Sequence, residues 1–126
     1  MARTAVSYSP LVANGHLTSP AGTTIDATLV TNGVVINGVD PERTVLRVNN
    51  TATGAKNVTV RAGAGRQSWL AGSGDYVQAV GANTGSEFLG PFTSARFQQR
   101  GSSMYVDFES GFLGTITVIK LPKAGL

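Results

Sequence analysis

Thr44-Val45-Leu46-Arg47-Val48-Asn49-Asn50 and Asn57-Val58-Thr59-Val60-Arg61-Ala62 decide the fold class of this chain. In the first run Leu46 and Val48 share one side and Arg47 takes the other. In the second, Val58 and Val60 alternate with Thr59 and Arg61. A period of two places the apolar side chains on one face of an extended strand and the polar ones on the other. A polar, glycine-containing turn separates the runs, so together they read as a half-buried antiparallel hairpin.

The same text continues outward in both directions. Upstream, Ile25-Asp26-Ala27-Thr28-Leu29-Val30-Thr31 is followed by Asn32-Gly33, then Val34-Val35-Ile36, then Asn37-Gly38. Asn-Gly between apolar runs is the strongest short-range hairpin signal, because both residues tolerate the positive φ of a type I′ turn, so two tight hairpins are expected here. Downstream, residues 75–80, 94–99, 103–108 and 115–121 read as further strands. Among them Met104, Val106 and Phe108 alternate with Tyr105 and Asp107. Glu87-Phe88-Leu89-Gly90-Pro91-Phe92, broken at Gly-Pro, reads as a tucked corner. No segment offers a convincing helical period. About eight strands with turns between them predict an all-β fold: an antiparallel β-sandwich, jelly-roll-like fold or barrel.

Residues 1–24 have no sustained period, because Pro10, Asn14-Gly15, Pro20 and Gly22 interrupt it. They read as an extended N-terminal arm ahead of a single β domain over residues 25–126. Tyr8, Leu11, Val12 and Leu17 favour docking of this arm on its own sheet, on a sister protomer or on a partner.

Composition excludes much chemistry. The chain has 126 residues, the size of one domain. It has no cysteine, which removes disulfides, thiolate metal sites and thiol catalysis. One histidine, His16, and seven acidic residues remain for acid–base or metal work. Only 13% of residues are charged, about half the usual quarter, and the net charge of +3 comes from scattered Arg and Lys with no basic run. Neither a nucleic-acid footprint nor an anionic-membrane patch is expected. No segment approaches the apolar length of a membrane span, and Met1-Ala2-Arg3-Thr4-Ala5-Val6-Ser7-Tyr8 lacks a signal-peptide core, so synthesis in the cytoplasm without secretion is expected. The sequons at Asn49 and Asn57 are read as chance.

Candidate reactive groups are sparse. No Gly-x-Ser-x-Gly elbow exists, and His16 lies in the arm, which argues against a serine triad. Asp107 and Glu109 are the nearest carboxylate pair, with both side chains expected to face solvent. Gly63-Ala64-Gly65-Arg66 has the glycines of a phosphate loop but no helix after it, so it reads as a surface loop. No catalytic residue, metal or cofactor is assigned. Trp69, the only tryptophan, sits in the most irregular stretch, 63–74, where an indole either plugs the core or is displayed as a binding anchor.

Thr44 to Asn50, Gly90-Pro91-Phe92, Arg96-Phe97-Gln98-Gln99, Tyr105-Val106-Asp107-Phe108 and Gly114 to Leu121 occur in an order that resembles small virion structural proteins of tailed bacteriophages. The likeness is to head decoration, or cement, proteins, especially those of phages of actinobacteria. It covers roughly the C-terminal two-thirds of the chain and lies in β-strand text, with no chemical motif. The resemblance implies a non-enzymatic protein on the outer surface of the virion. It would bind the major capsid protein in the assembled lattice, as a homotrimer, and stabilise the shell by preferring the assembled state. Candidate capsid or protomer contacts are Arg3, Tyr8, Leu11, Val12, Leu17, Arg66 and Trp69. On this view, deleting residues 1–20 abolishes capsid binding and leaves the domain folded. The alternative is a glycan- or receptor-binding module of a tail or fibre, with Trp69 or Tyr76 as a stacking platform.

Overall fold

A computed structural model of the chain describes residues 3–38, 40–64 and 69–122. These form a mostly β-stranded structure with two mixed sheets and few helices. The first sheet has the order β1 (Thr4–Ala5), β4 (Val34–Ile36), β9 (Met104–Phe108), β6 (Lys56–Val60), β7 (Tyr76–Val80). The second has the order β2 (Tyr8–Pro10), β10 (Gly114–Lys120), β5 (Thr44–Asn50), β8 (Gly85–Leu89), and β3 (Thr23–Ile25) also pairs with β10. All pairings are antiparallel except β1 with β4 and β2 with β10, which are parallel.

The period-two reading of the strands holds. In β5 every second residue, from Thr44 to Asn50, is buried, and in β9 Met104, Val106 and Phe108 are buried between half-exposed Tyr105 and Asp107. The inward residues of both sheets join one hydrophobic cluster that includes Val34 and Ile36, Leu46 and Val48, Val58 and Val60, and Ile116 and Val118.

The pairing of neighbouring strands differs from expectation. β5 and β6 do not form a hairpin: β5 pairs with β10 and β8, while β6 pairs with β9 and β7 in the other sheet. Asn50, fully buried at the end of β5, turns the chain across. Its Nδ2 donates to the carbonyls of Gly54 and Val80, both at 3.1 Å, and its Oδ1 accepts from the Ala52 amide at 2.9 Å. A side chain that satisfies backbone groups on both sides of the crossover makes a hairpin unnecessary there. Likewise β7 and β8 lie in different sheets, although the turn between them spans only residues 81–84.

Neither Asn-Gly makes a hairpin. Residues Ala27–Asn32 form a helix, α1, in place of the expected strand. Asp26 caps it by accepting from the Leu29 amide at 3.0 Å, and Gly33, at φ +78, closes it by donating its N–H to the Leu29 carbonyl at 2.9 Å. Local capping at both ends outweighs the β-branched composition of so short a segment. Asn37-Gly38 turns the chain out of β4, whose partners are β1 and β9. The strand expected over 94–99 is instead a short helix, α2 (Ser94–Phe97), with Phe97 buried.

Residues 3–24 are built into the fold. β1 extends the first sheet, β2 and β3 lie in tandem along β10, and Val6 belongs to the core. Arg47 on the outer side of β5 holds the arm across the second sheet, donating to the Pro20 carbonyl at 2.6 Å, to Ser19 Oγ at 3.3 Å and to Thr117 Oγ1 at 3.1 Å. Thr117 is buried although it faces away from the core. Deleting residues 1–20 would therefore strip two strands and a core side chain, so it cannot separate binding from folding.

Three substitutions test this architecture. Asn50→Ala removes the buried side-chain hydrogen bonds to two carbonyls and an amide and is expected to cost about 2–4 kcal/mol in urea unfolding. At Gly33 a Cβ would collide with the Arg3 guanidinium and the Asp107 carboxylate, whereas at Gly38, also at positive φ, it meets nothing within 4 Å. Gly38→Ala should cost only the left-handed penalty of about 1 kcal/mol, and Gly33→Ala clearly more, measured by the same unfolding curves.

Candidate functional site

The groups that could serve acid–base chemistry are dispersed or already paired. His16 is exposed in the arm. Asp107 accepts from Arg3 at 2.7 Å and lies 3.5 Å from Arg61 Nε, and Arg61 also reaches Asp75 at 3.4 Å. Glu109 accepts from the Asn57 amide at 2.9 Å and faces Lys56 at 3.8 Å. These half-exposed pairs are each worth up to about 1 kcal/mol, so they tune the arm and sheet surface while strand pairing holds them. Among the described residues no group of three or more His, Asp or Glu is placed to hold a metal, and no helix is long and apolar enough to cross a membrane.

The expected contact residues that the structure describes fall into three groups. Arg3, Tyr8 and Leu11 are engaged within the chain. Arg3 pairs with Asp107 and lies 4.3 Å over the Tyr105 ring. Tyr8 packs against the core beneath Lys120 Nζ, which sits 4.8 Å from its ring, and the Leu11 amide donates to the Lys120 carbonyl. Leu17 is half-buried. Val12 and Trp69 are displayed, at 57% and 75% exposure. Arg66 lies outside the described residues.

Trp69 is thus displayed and does not plug the core. Its turn is held from behind: the Leu70 amide donates to the Ala95 carbonyl of α2 at 2.7 Å, and the Ser73 amide to the Leu70 carbonyl at 2.9 Å. The same helix supplies Arg96, which donates to the Gly74 and Asp75 carbonyls at 3.0 and 3.3 Å and lies 4.7 Å over the Phe97 ring. Arg96 lines a cleft of about 390 Å³ with Tyr76, Phe88, Leu89 and Pro91.

Phe88 and Val77 extend this apolar display along the β7–β8 margin. Phe88 is 66% exposed on the outer side of β8 opposite Arg47, and Val77 is exposed on the outer side of β7 opposite Thr59. Of the expected corner, Phe92 is tucked into the core, but Phe88 lies in a strand and points away from it. Sequence reasoning placed Phe88 in a tucked corner because of the Gly90-Pro91 break, and alternation at Glu87-Phe88-Leu89 alone would not say which of Phe88 and Leu89 faces in. An exposed phenylalanine lining the cleft, and an exposed tryptophan on a turn tied to the helix that supplies Arg96 to it, are side chains suited to binding.

No family model, no curated protein and no solved structure matches this chain.

The direction of Phe88 is directly testable. Phe88→Ser should change stability by less than about 0.5 kcal/mol, whereas Leu89→Ala next to it should cost about 2–5 kcal/mol, read from thermal and urea unfolding.

Proposed function

We propose that this chain is a non-enzymatic virion protein that decorates the outer surface of an assembled phage capsid and stabilises it by bridging major capsid subunits, acting as a homotrimer. The phage-protein resemblance supplies the target. The observation that carries a binding role is Trp69, three-quarters exposed on a turn tied to α2. An indole has only two side-chain torsions to fix on docking, which is how a few aromatic residues come to dominate an interface. We read the two sheets as the faces of a sandwich, a scaffold that presents this turn and the β7–β8 margin on one body. The arm serves the scaffold on this reading, because Arg3, Tyr8 and Leu11 are occupied within the chain.

Tyr76 and Phe88 at the cleft favour a second reading, a glycan-binding module in which these rings stack on a sugar. Co-sedimentation with undecorated capsids separates the two. Saturable pelleting with capsids, and none with unassembled capsid subunits, is expected for a decoration protein. Trp69→Ala should weaken pelleting by about 30-fold, corresponding to roughly 2 kcal/mol, with an unchanged circular dichroism spectrum. A folded protein that never pellets with capsids, and whose Tyr76 and Phe88 signals shift with a sugar, would establish the second reading instead.

A further inference from the structure

The chain covers its sheet edges unequally. In the second sheet the arm closes one edge of β10, with β3 against Gly114 to Ile116 and β2 against Val118 to Lys120. In the first sheet β1 closes the edge of β4. These covering strands are only two or three residues long, and β2 ends in Pro10, so they are poor templates for further pairing. At the opposite margin β7 and β8 are five residues each, contain neither proline nor lysine, and have no outer partner strand among the described residues. An unpaired strand of this kind offers a row of N–H and C=O groups to an added strand.

Glu87 decides what kind of strand fits. It is the only charged residue of β7 and β8. It lies opposite the fully buried Val48, so it projects from the core-facing side of β8 at the open edge, half-buried. Among the described residues its side chain has neither a hydrogen-bond partner nor an ion pair, so it is open to a partner's cation. Antiparallel pairing of β8 with a second copy centred on this position would set two carboxylates side by side, which is destabilising. A strand with a cation there turns the same group into an attraction, while the exposed Phe88 offers apolar contact on the outer side.

We propose that the free edge of β8 accepts an extended segment of a partner protein that places a lysine or arginine, flanked by β-branched residues, across from Glu87. This rests on the reading of the chain as a binding protein but not on the capsid as its target. The test is titration of the isotope-labelled full chain, followed by NMR, with end-blocked Thr-Val-Lys-Val-Thr and Thr-Val-Glu-Val-Thr peptides. The lysine peptide is expected to shift the amide signals of residues 85–89 and to bind about tenfold more tightly than the glutamate peptide. Glu87→Lys should reverse that order, and Glu87→Gln should abolish the preference without reversing it. Shifts that are absent, lie elsewhere or ignore the peptide's charge would overturn the proposal. So would a wild-type dimer whose β8 amides are already protected from exchange, which would assign the edge to a second copy. A charge-dependent peptide response in a protein that fails to pellet with capsids keeps strand acceptance and removes the capsid. Capsid pelleting without any peptide response does the reverse.

Discussion

Seven consecutive residue pairs join β10 to β5, and most of the second sheet hangs on that ladder. β8 attaches to the far side of β5, and both β2 and β3 attach to the far side of β10. The register admits no slip. Moving β10 by one residue would turn Ile116 and Val118 outward and bring the hydroxyl of Thr117 into the core, where it has no partner. In the observed register that hydroxyl receives a hydrogen bond from Arg47, which also holds the arm. One alignment therefore fixes the core side and the arm side of the sheet together.

Much of the strand content was legible in the sequence, because period two is a local property. β5, β6 and β9 announce themselves by alternation alone. Their partners do not, since pairing is decided by groups far away along the chain. Thr44 to Asn50 and the run from Asn57 are both strands, yet a buried asparagine sends the second into the other sheet. Asn32-Gly33 misleads for a more general reason. Positive φ at a glycine serves a hairpin turn and a helix end equally well, so the dipeptide marks a reversal without saying which kind. At the candidate site the sequence singled out Trp69 and left open whether it was displayed. Phe88 and Glu87 depend on which side of β8 faces the core, a question that only the β5–β8 pairing answers.

The arm changes meaning once its contacts are seen. Read alone, its breaks and scattered apolar residues suit a segment reaching for another molecule. Folded, it is the edge cover of its own sheets, with Val6 in the core, Tyr8 packed against it and Leu11 bonded to β10. Val12 stays displayed in the arm, and at the margin furthest from the arm in each sheet's strand order Val77 and Phe88 are displayed beside open edges. Low overall charge suits the proposed binding role, since few ions would need desolvation at such a margin. Because the arm and β10 come from opposite ends of the chain, their pairing also closes the longest loops in the fold, which places it among the slower kinds of β-topology to assemble.

The position of the only indole has a practical consequence. In most small β-proteins tryptophan emission reports on the core and changes when the chain unfolds. Here Trp69 is already largely in water in the folded state. Its spectrum should therefore resemble that of the unfolded chain and be nearly silent to denaturation, while burial against another molecule would move it to the blue. Without any added label, the molecule carries an optical probe that is blind to its own folding and responsive to what covers its surface.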